Sequence, residues 1–299
     1  MHFAQLLFPD FALIVCGYLI CRFTQLGRPI WEQVESLVYY VLFPVLLFYA
    51  ISRSPLDLRA TGSLMGAALV VVACGVLLSY ALAKLPGVER TDFASSAQVG
   101  FRFNSYIALA LAERLAGQQG LLMIAVIIGV CVPLINIAAV WPMAQHSGQG
   151  FAKALLKNPL IIGTVSGLAA NLLGISVPAF AEPAVSRIGQ AAIPLGLMAA
   201  GAGLQLGQIF NTPSRARIGS ALLLVRHLAL PLIAIALVQL FGLNAAQANI
   251  LLVFSALPTA STCYVLATRM GFDGAFVAGL VTLSTLMGML SLPFALSFR

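Results

Sequence analysis

Residues Ser255–Cys263 read Ser-Ala-Leu-Pro-Thr-Ala-Ser-Thr-Cys and lie in the middle of an apolar run from about Ala246 to Thr268. Pro258 has no backbone N–H, so a helix that passes through it loses a hydrogen bond. Three hydroxyl residues follow within four positions and can bond the freed backbone groups or a ligand. In a bilayer, irregular backbone persists only where protein or water covers it. The stretch therefore predicts a broken helix that faces an interior cavity; the alternative is a kinked helix without a ligand.

The composition predicts a helical protein that crosses a lipid bilayer many times. The chain has 299 residues, of which 61% are hydrophobic and 8% charged, and its mean hydropathy is +1.00. Soluble domains carry about 25% charged residues. The net charge of +7 is spread over short loops without a basic tail. It therefore bears on membrane orientation, and no nucleic-acid partner is expected.

No pattern in the chain predicts enzymatic chemistry, a metal or a cofactor. All five cysteines fall in apolar runs and form no C-x-x-C pair, so neither zinc nor a disulfide framework is indicated. There is no H-E-x-x-H sequence and no phosphate-binding loop. A cleaved signal peptide is not expected, because no Lys or Arg precedes Arg22 and Asp10 interrupts the first apolar run.

Ten membrane spans are predicted from apolar runs of about 20 residues. They are expected at about 3–21, 34–52, 62–84, 94–114, 120–142, 158–175, 186–206, 218–241, 246–268 and 274–296. The longest connection, 143–157, is predicted to be a cytoplasmic link between two five-helix repeats, 1–142 and 158–299. Together the repeats form one integral membrane unit.

The two repeats are recognised by matched residues at nearly constant offsets. Pro9 corresponds to Pro159, and Pro44 to Pro194, each 150 residues later. Because each repeat contains an odd number of spans, the second repeat is inverted in the membrane. Inverted repeats are typical of secondary transporters, which bind their substrate near the midplane where the repeats meet.

The basic residues of the loops predict the orientation. One side of the membrane holds nine, and the other side holds five. The nine are Arg22, Arg28, Lys84, Arg90, Lys153, Lys157, Arg215, Arg217 and Arg269. The five are Arg53, Arg59, Arg114, Arg187 and Arg299. Because basic residues favour the cytoplasmic side, both termini are predicted to be periplasmic or extracellular.

Arg102 and Asn104 are the polar candidates in the fourth span. A charged residue at mid-depth in a membrane is costly and is a functional candidate by default. The guanidinium of Arg102 can clamp a carboxylate through two parallel hydrogen bonds, and Asn104 can donate to an anion. The two residues are two apart, so one helical face cannot present both squarely, whereas an unwound segment could. The alternative for Arg102 is an ion pair with an acid or a side chain that reaches an aqueous vestibule.

Hydroxyl groups and half-helix ends are the candidates in the ninth span. Pro258, Thr259 and Ser261 stand opposite the Arg102 region at an offset of 155. A break exposes the positive N-terminus of a half-helix, which suits an anion. Alternatively the hydroxyls bond carbonyls four residues earlier, which is the favoured interpretation for Thr262.

Asp10 and His227 are the candidates for proton or ion coupling. Histidine titrates near neutral pH, and an acid in the first span could carry a proton. The alternatives are that Asp10 faces water at the outer interface, and that Arg226 and His227 pack against a neighbouring acid or carbonyl. The latter alternative is favoured for Arg226 and His227.

Several short pieces, in order along nearly the whole chain, resemble the auxin efflux carrier family, and the resemblance is to a bacterial member. They are Phe8-Pro9, Val41–Phe48, Gly100–Ile107, Lys157–Ile162, Ala192–Leu197, Ala256–Ala260, Ser284–Leu286 and Leu292-Pro293. The resemblance implies an all-α fold of ten helices in two inverted repeats with crossed, broken helices 4 and 9. That fold is similar to bile-acid sodium symporters and sodium/proton antiporters. It also implies a homodimer and a binding role for Asn104.

One position departs from the family pattern. The family usually has a proline after the asparagine of the fourth span, where this chain has Ala110. We therefore expect span 4 to be less sharply broken than span 9, although Gly100, Asn104 and Ser105 could let it open locally.

The functional prediction is a secondary active transporter in the bacterial cytoplasmic membrane. It would carry small organic anions, such as dicarboxylates or auxin-like carboxylic acids, by alternating access. The predicted substrate-binding residues are Arg102, Asn104, Ser105, Pro258, Thr259 and Ser261. The alternative is a sodium-coupled symporter of bile-acid-like anions, although the crossover contains no acid to bind sodium.

Overall fold

The computed structural model describes residues 3–53, 58–147, 159–204, 210–260 and 262–298, and every regular element in these ranges is helical. The chain forms two compact units, each assembled from separate segments of both halves of the sequence. Unit 1 contains Met1–Gly62, Leu109–Pro133 and Gly150–Gly203. Unit 2 contains Ser63–Ala108, Leu134–Gln149 and Leu204–Arg299. The division into repeats at 143–157 remains a prediction from internal sequence similarity.

The helices follow the predicted spans closely, and several spans consist of two helices in succession. In the first half they are α1 (Phe3–Phe23), α2 (Arg28–Leu37), α3 (Phe43–Ser52), α4 (Leu58–Ala81), α5 (Arg90–Ser96) and α6 (Ser105–Ser147). In the second half they are α7 (Pro159–Leu172), α8 (Glu182–Gln190), α9 (Ala192–Ala202), α10 (Pro213–Leu224), α11 (Leu230–Leu240), α12 (Ala245–Ala256), α13 (Thr262–Arg269) and α14 (Gly274–Leu296).

Length and hydropathy identify five helical stretches that can cross a membrane among the described residues. They are Arg28–Tyr49, Gly62–Lys84, Arg90–Met143, Pro213–Leu240 and Gly274–Leu296. Large apolar side chains, including those of Leu77, Leu240 and Leu290, are exposed on these helices. Exposed apolar side chains of this size suit contact with lipid rather than water.

Span 4 is fully broken, so the expectation that it would be less sharply broken than span 9 was wrong. A 3₁₀ turn, Ala97–Gly100, follows α5, and the next four residues, Phe101–Asn104, are non-helical before α6 begins. Ala110 is helical and buried. The break needs no proline because Asn104 supplies side-chain hydrogen bonds that start the next helix.

The boundary between spans 4 and 5 is a second interruption within α6. Ala116 and Gly117 have non-helical backbone angles, and Gly117 has φ 56°. Glycine adopts this left-handed conformation without the steric cost that a Cβ imposes. The predicted gap between residues 114 and 120 is therefore confirmed.

Close helix packing in unit 1 depends on glycine. A Cβ on Gly17 of α1 would lie 1.9 Å from the carbonyl oxygen of Met198 on α9, and one on Gly201 would lie 1.8 Å from that of Ile14. The backbones of α1 and α9 therefore approach each other where larger side chains do not fit. Small residues commonly permit such approaches between membrane helices.

Two π-helical turns, Val38–Leu42 and Val225–Ala229, occur just before Pro44 and Pro231. Proline cannot donate the hydrogen bond that continues an α-helix, and a wider turn absorbs the mismatch. The second turn contains Arg226 and His227, both of which are buried in unit 2.

The ends of three helices in unit 2 are joined by a charged cluster. Arg215, near the start of α10, contacts Asp92 of α5 at 3.1 Å and Asp273, the N-cap of α14, at 2.8 Å. The hydroxyl of Ser214 donates to Asp92 at 2.7 Å. Desolvation alone would raise the pKa of Asp273, but hydrogen bonds from the backbone of Phe276 and the Arg215 guanidinium outweigh it and hold this pKa below its usual range.

Candidate functional site: the two helix breaks of unit 2

The breaks in spans 4 and 9 contact each other directly. The backbone N–H of Asn104 donates to the carbonyl of Pro258 at 2.8 Å. The hydroxyl of Thr259 donates to the carbonyl of Val99 at 2.8 Å. Each break thus uses backbone groups that a continuous helix would have paired internally, which explains how two irregular segments are tolerated together.

Asn104 begins the second half of span 4. Its side-chain Oδ1 accepts from the backbone N–H groups of Tyr106 and Ile107, at 3.0 and 3.2 Å. This is the arrangement of a helix N-cap. The side chain is only 3% exposed, and its Nδ2 donates to no described residue. The amide can therefore cap the helix and still offer two hydrogens to a ligand.

Arg102 lies at the amide end of the broken ninth span. Its Nη2 donates to the hydroxyl of Thr262, the first residue of α13, at 3.1 Å and to Oδ1 of Asn136 at 3.2 Å. Its Nη1 donates to Oε1 of Gln98 at 2.9 Å. All three partners are neutral, and no described carboxylate pairs with Arg102.

The electrostatics at Arg102 favour an anion. The N-terminus of a helix carries a partial positive charge, so the guanidinium and the start of α13 place two positive potentials side by side. An arginine beside helix N–H groups is an arrangement that binds carboxylates.

Thr259 is part of a buried hydroxyl chain. Oγ of Ser284 donates to Oγ1 of Thr259 at 3.0 Å and accepts from the backbone N–H of Thr259 at 2.9 Å. Ser284 lies 2.7 Å from Nε2 of His227, and Ser291 lies 2.8 Å from Nδ1. The chain therefore connects His227 to the break.

The hydroxyl chain contains one more hydrogen-bond contact than it has hydrogens when His227 is neutral. Ser291 also reaches the carbonyl of Ala256 at 3.1 Å, which makes five contacts that each require one hydrogen. Three hydroxyls and one ring N–H supply four, whereas an imidazolium would supply the fifth. The hydrogen count of this network therefore changes with the protonation of His227.

Arg226 lies at the carbonyl end of the same break. Its Nε donates to the carbonyl of Leu257 at 2.6 Å, and its Nη2 donates to that of Phe254 at 3.1 Å. The sequence-based alternative that Arg226 packs against a carbonyl is confirmed.

Pro258 packs against the tenth span. A Cβ on Gly288 of α14 would lie 2.5 Å from Cγ of Pro258, so glycine leaves room for the proline ring. The rings of Phe103 and Phe254 meet edge to face with their centroids 4.8 Å apart. The breaks are therefore enclosed by side chains as well as joined by hydrogen bonds.

The structure brings most of the predicted site residues together in unit 2. Arg102 and Asn104 both lie in the non-helical segment, and Ser105 starts α6 beside them. Thr259 directs its hydroxyl into the buried network. Ser261 lies outside the described residues. Asp10 belongs to α1 in unit 1, and its side chain is outside the described part.

Sequence reasoning did not predict Gln98, Ser284 or Ser291 as site residues. It favoured back-bonding for Thr262, whose hydroxyl instead accepts from Arg102. A signal for the serines was present, because residues seven apart share one helical face and both could face His227. Gln98 donates to the carbonyl of Cys263 at 3.1 Å. The two residues are far apart in sequence, so no local pattern predicts this contact.

Comparisons with known proteins agree with the resemblance found in the sequence. The profile of the membrane transport protein family matches residues 123–296. A "Putative malonate transporter" of Rhizobium meliloti (strain 1021) is 25% identical, and the alignment covers 94% of this chain and 91% of that protein. The family match spans more than half of the sequence. The chain is therefore a multi-pass membrane transporter and belongs to the membrane transport protein family, that of the auxin efflux carriers.

Proposed function

We propose that the protein is a secondary carrier of small organic anions, and that short dicarboxylates are the first class to test. The observation that carries this proposal is Arg102, a guanidinium with only neutral described partners beside the start of α13. The name of the malonate relative supports the choice of substrate class.

In the proposed complex, Arg102 binds one carboxylate of the substrate through its guanidinium. Nδ2 of Asn104 donates to the same anion while Oδ1 keeps α6 capped. Ser105 offers a hydroxyl at the start of α6, and the first N–H groups of α13 contribute positive potential. Pro258 and Thr259 hold the shape of the break in span 9. Ser261, which follows them in sequence, is also a proposed binding residue.

The proposed mechanism is alternating access. The proposed assembly is a homodimer in the lipid bilayer, in which each chain contains two inverted five-helix repeats and has both termini outside the bacterial cytoplasm. Spans 1, 2 and 6 and nearly all of span 7 fall in unit 1, whereas nearly all of span 3, the first part of span 4 through Ala108 and spans 8, 9 and 10 fall in unit 2. This grouping supports a moving part built around spans 4 and 9 and a separate supporting part.

Coupling to protons, or no coupling, is favoured over coupling to sodium. Neither described break contains an acid to bind sodium, whereas His227 joins the break through Ser284. His227 is therefore the proposed proton-coupling residue, and Asp10 a second one in the first span. Flux measured in sodium-free buffer, with and without a pH gradient, separates these possibilities.

The test is uptake of radiolabelled malonate into liposomes that contain the purified protein. We expect saturable flux, and we expect Arg102→Gln to raise KM at least tenfold because a charge-assisted hydrogen bond contributes about 1.5–3 kcal/mol. Arg187→Gln is the matched control, because Arg187 is exposed on α8 and its loss should leave KM unchanged.

Two further variants test the breaks themselves. Asn104→Ala and Pro258→Ala should each reduce flux while the protein still elutes as a folded species. If both variants transported malonate like the unmodified protein, the site would be misassigned. If a panel of short carboxylates gave neither flux nor thermal stabilisation, the anion-carrier proposal itself would be wrong.

A further inference from the structure

The carbonyl end of the break in span 9 exposes more acceptors than an ordinary helix end. Pro258 has no N–H, so the carbonyl of Phe254, four residues earlier, loses its partner. The chain leaves the helix at Leu257, whose ψ is 143°. The last carbonyls of α12 therefore have no intrahelical donors, and the helix dipole adds negative potential there.

Side chains from two other helical segments contact three carbonyls at this end of the break, those of Phe254, Ala256 and Leu257. Arg226 donates to Leu257 at 2.6 Å and to Phe254 at 3.1 Å. Ser291 of α14 is within hydrogen-bond distance of the carbonyl of Ala256, at 3.1 Å. Arg226 thus fixes two of the three carbonyls, and it does so with a full positive charge.

The burial of Arg226 shows what balances that charge. The side chain is 1% exposed and forms no ion pair with a described carboxylate. A buried cation without an acid is destabilising unless other groups compensate it. Here the two carbonyls and the negative end of α12 are the compensating groups.

Carbonyls at the end of a half-helix are the groups that bind coupling cations in other transporters. We infer that Arg226 is a resident cation of this break, and that shortening its side chain uncovers a binding site for a small cation such as sodium, potassium or guanidinium. Its effect on transport rests on the proposed function, whereas the cation site itself does not. Arg226 is thus a positioning residue that holds the Pro258 break in shape.

Thermal unfolding of purified variants tests the cation site without any substrate. The midpoint is measured for the unmodified protein, Arg226→Lys and Arg226→Gln in sodium, potassium, guanidinium or choline chloride at equal millimolar ionic strength. We expect Arg226→Gln to be stabilised by the small cations relative to choline. The unmodified protein and Arg226→Lys should show no such difference, and Arg102→Gln is the matched control for loss of a charge.

Malonate flux in the same salts gives the second readout. We expect Arg226→Gln to lose at least tenfold in flux in choline and to recover part of it in a small cation. Arg226→Lys should keep at least a third of the unmodified flux, with its KM within twofold. If Arg226→Gln does not fold, the flux of Arg226→Lys still tests whether a cation at this position holds the break in shape.

Two results would overturn the inference. One is a folded Arg226→Gln protein whose stability and flux are the same in all salts. The other is a folded Arg226→Lys protein with flux reduced at least tenfold. Absence of flux in the unmodified protein would instead count against the proposed function, because the stability titration contains no carboxylate substrate.

Discussion

Arg226 and Arg102 lie at opposite ends of the same helix break and have opposite electrostatic surroundings. Arg226 meets the carbonyl end of α12, where the helix dipole is negative and two carbonyls accept from it. Arg102 meets the amide end of α13, where the dipole is positive and its partners are neutral. The first charge is compensated by the fold, whereas no described carboxylate pairs with the second.

The start of α14 shows the ordinary arrangement for comparison. There the N-cap is Asp273, whose Oδ1 accepts from the backbone N–H groups of Ala275 and Phe276. A carboxylate at a helix N-terminus is stabilising. An arginine at the equivalent end of α13 is the reverse arrangement, which a carboxylate-bearing substrate would correct.

The largest expected effect on stability is that of Arg226→Met. It leaves the carbonyls of Phe254 and Leu257 buried without donors, which should lower the free energy of unfolding by about 3 kcal/mol. Arg102→Met should cost less, about 1 kcal/mol, because it leaves one fully buried acceptor, Oε1 of Gln98, without its donor, whereas Thr262 and Asn136 are partly exposed. The measurement is unfolding in detergent, and equal losses for the two variants would remove the contrast between the two arginines.

Gly288→Ala should have the second largest effect on stability. The added methyl group would lie 2.5 Å from the Pro258 ring, so the break must shift, at a cost of about 1–3 kcal/mol. Gly62→Ala is the control, because a Cβ there meets nothing within 4 Å. Thermal unfolding together with malonate flux reports both effects. If Gly288→Ala changed neither the unfolding midpoint nor the flux, the proline ring would be shown to move freely.

Substitution of Asn104 separates helix capping from anion binding. Asn104→Ala should cost about 1 kcal/mol, the usual value of an N-cap, and should also lower flux. Asn104→Asp keeps the cap acceptor but brings a negative charge next to the proposed anion site. It should therefore fold as well as the unmodified protein and transport malonate poorly. Normal flux in Asn104→Asp would place the anion elsewhere.

The smallest effect concerns Asp273 and pH. The pKa of Asp273 is lower in the folded protein than in the unfolded chain, because hydrogen bonds from Phe276 and the nearby Arg215 outweigh desolvation. The unfolded state therefore binds more protons, and stability falls as the pH drops from about 4 through the folded pKa. The pair is partly exposed, so the loss should be about 0.5 kcal/mol. Asp273→Asn should weaken this acid dependence, whereas an unchanged pH profile would show that Asp273 contributes nothing.

Much of the broken ninth span could be predicted from residues close in sequence. Pro258 within an apolar run requires a lost hydrogen bond, whatever the tertiary fold. The break in span 4 was harder to predict, because no proline causes it. Instead, the side chain of Asn104 caps the helix that follows the break. Whether an asparagine in an apolar run caps a helix depends on its backbone conformation, and here the N–H of Asn104 is anchored by Pro258.

The sequence by itself determined a helical membrane transporter with a proline break and a polar segment in a second apolar run. These properties follow from hydropathy, from the missing N–H of proline and from matched motifs along the chain. Only the tertiary structure decided which arginine meets which end of the break. Arg226 and Arg102 have the same charge, and both lie in predicted membrane spans. The sign of the helix dipole that each one meets depends on which end of a half-helix, distant in sequence, it contacts.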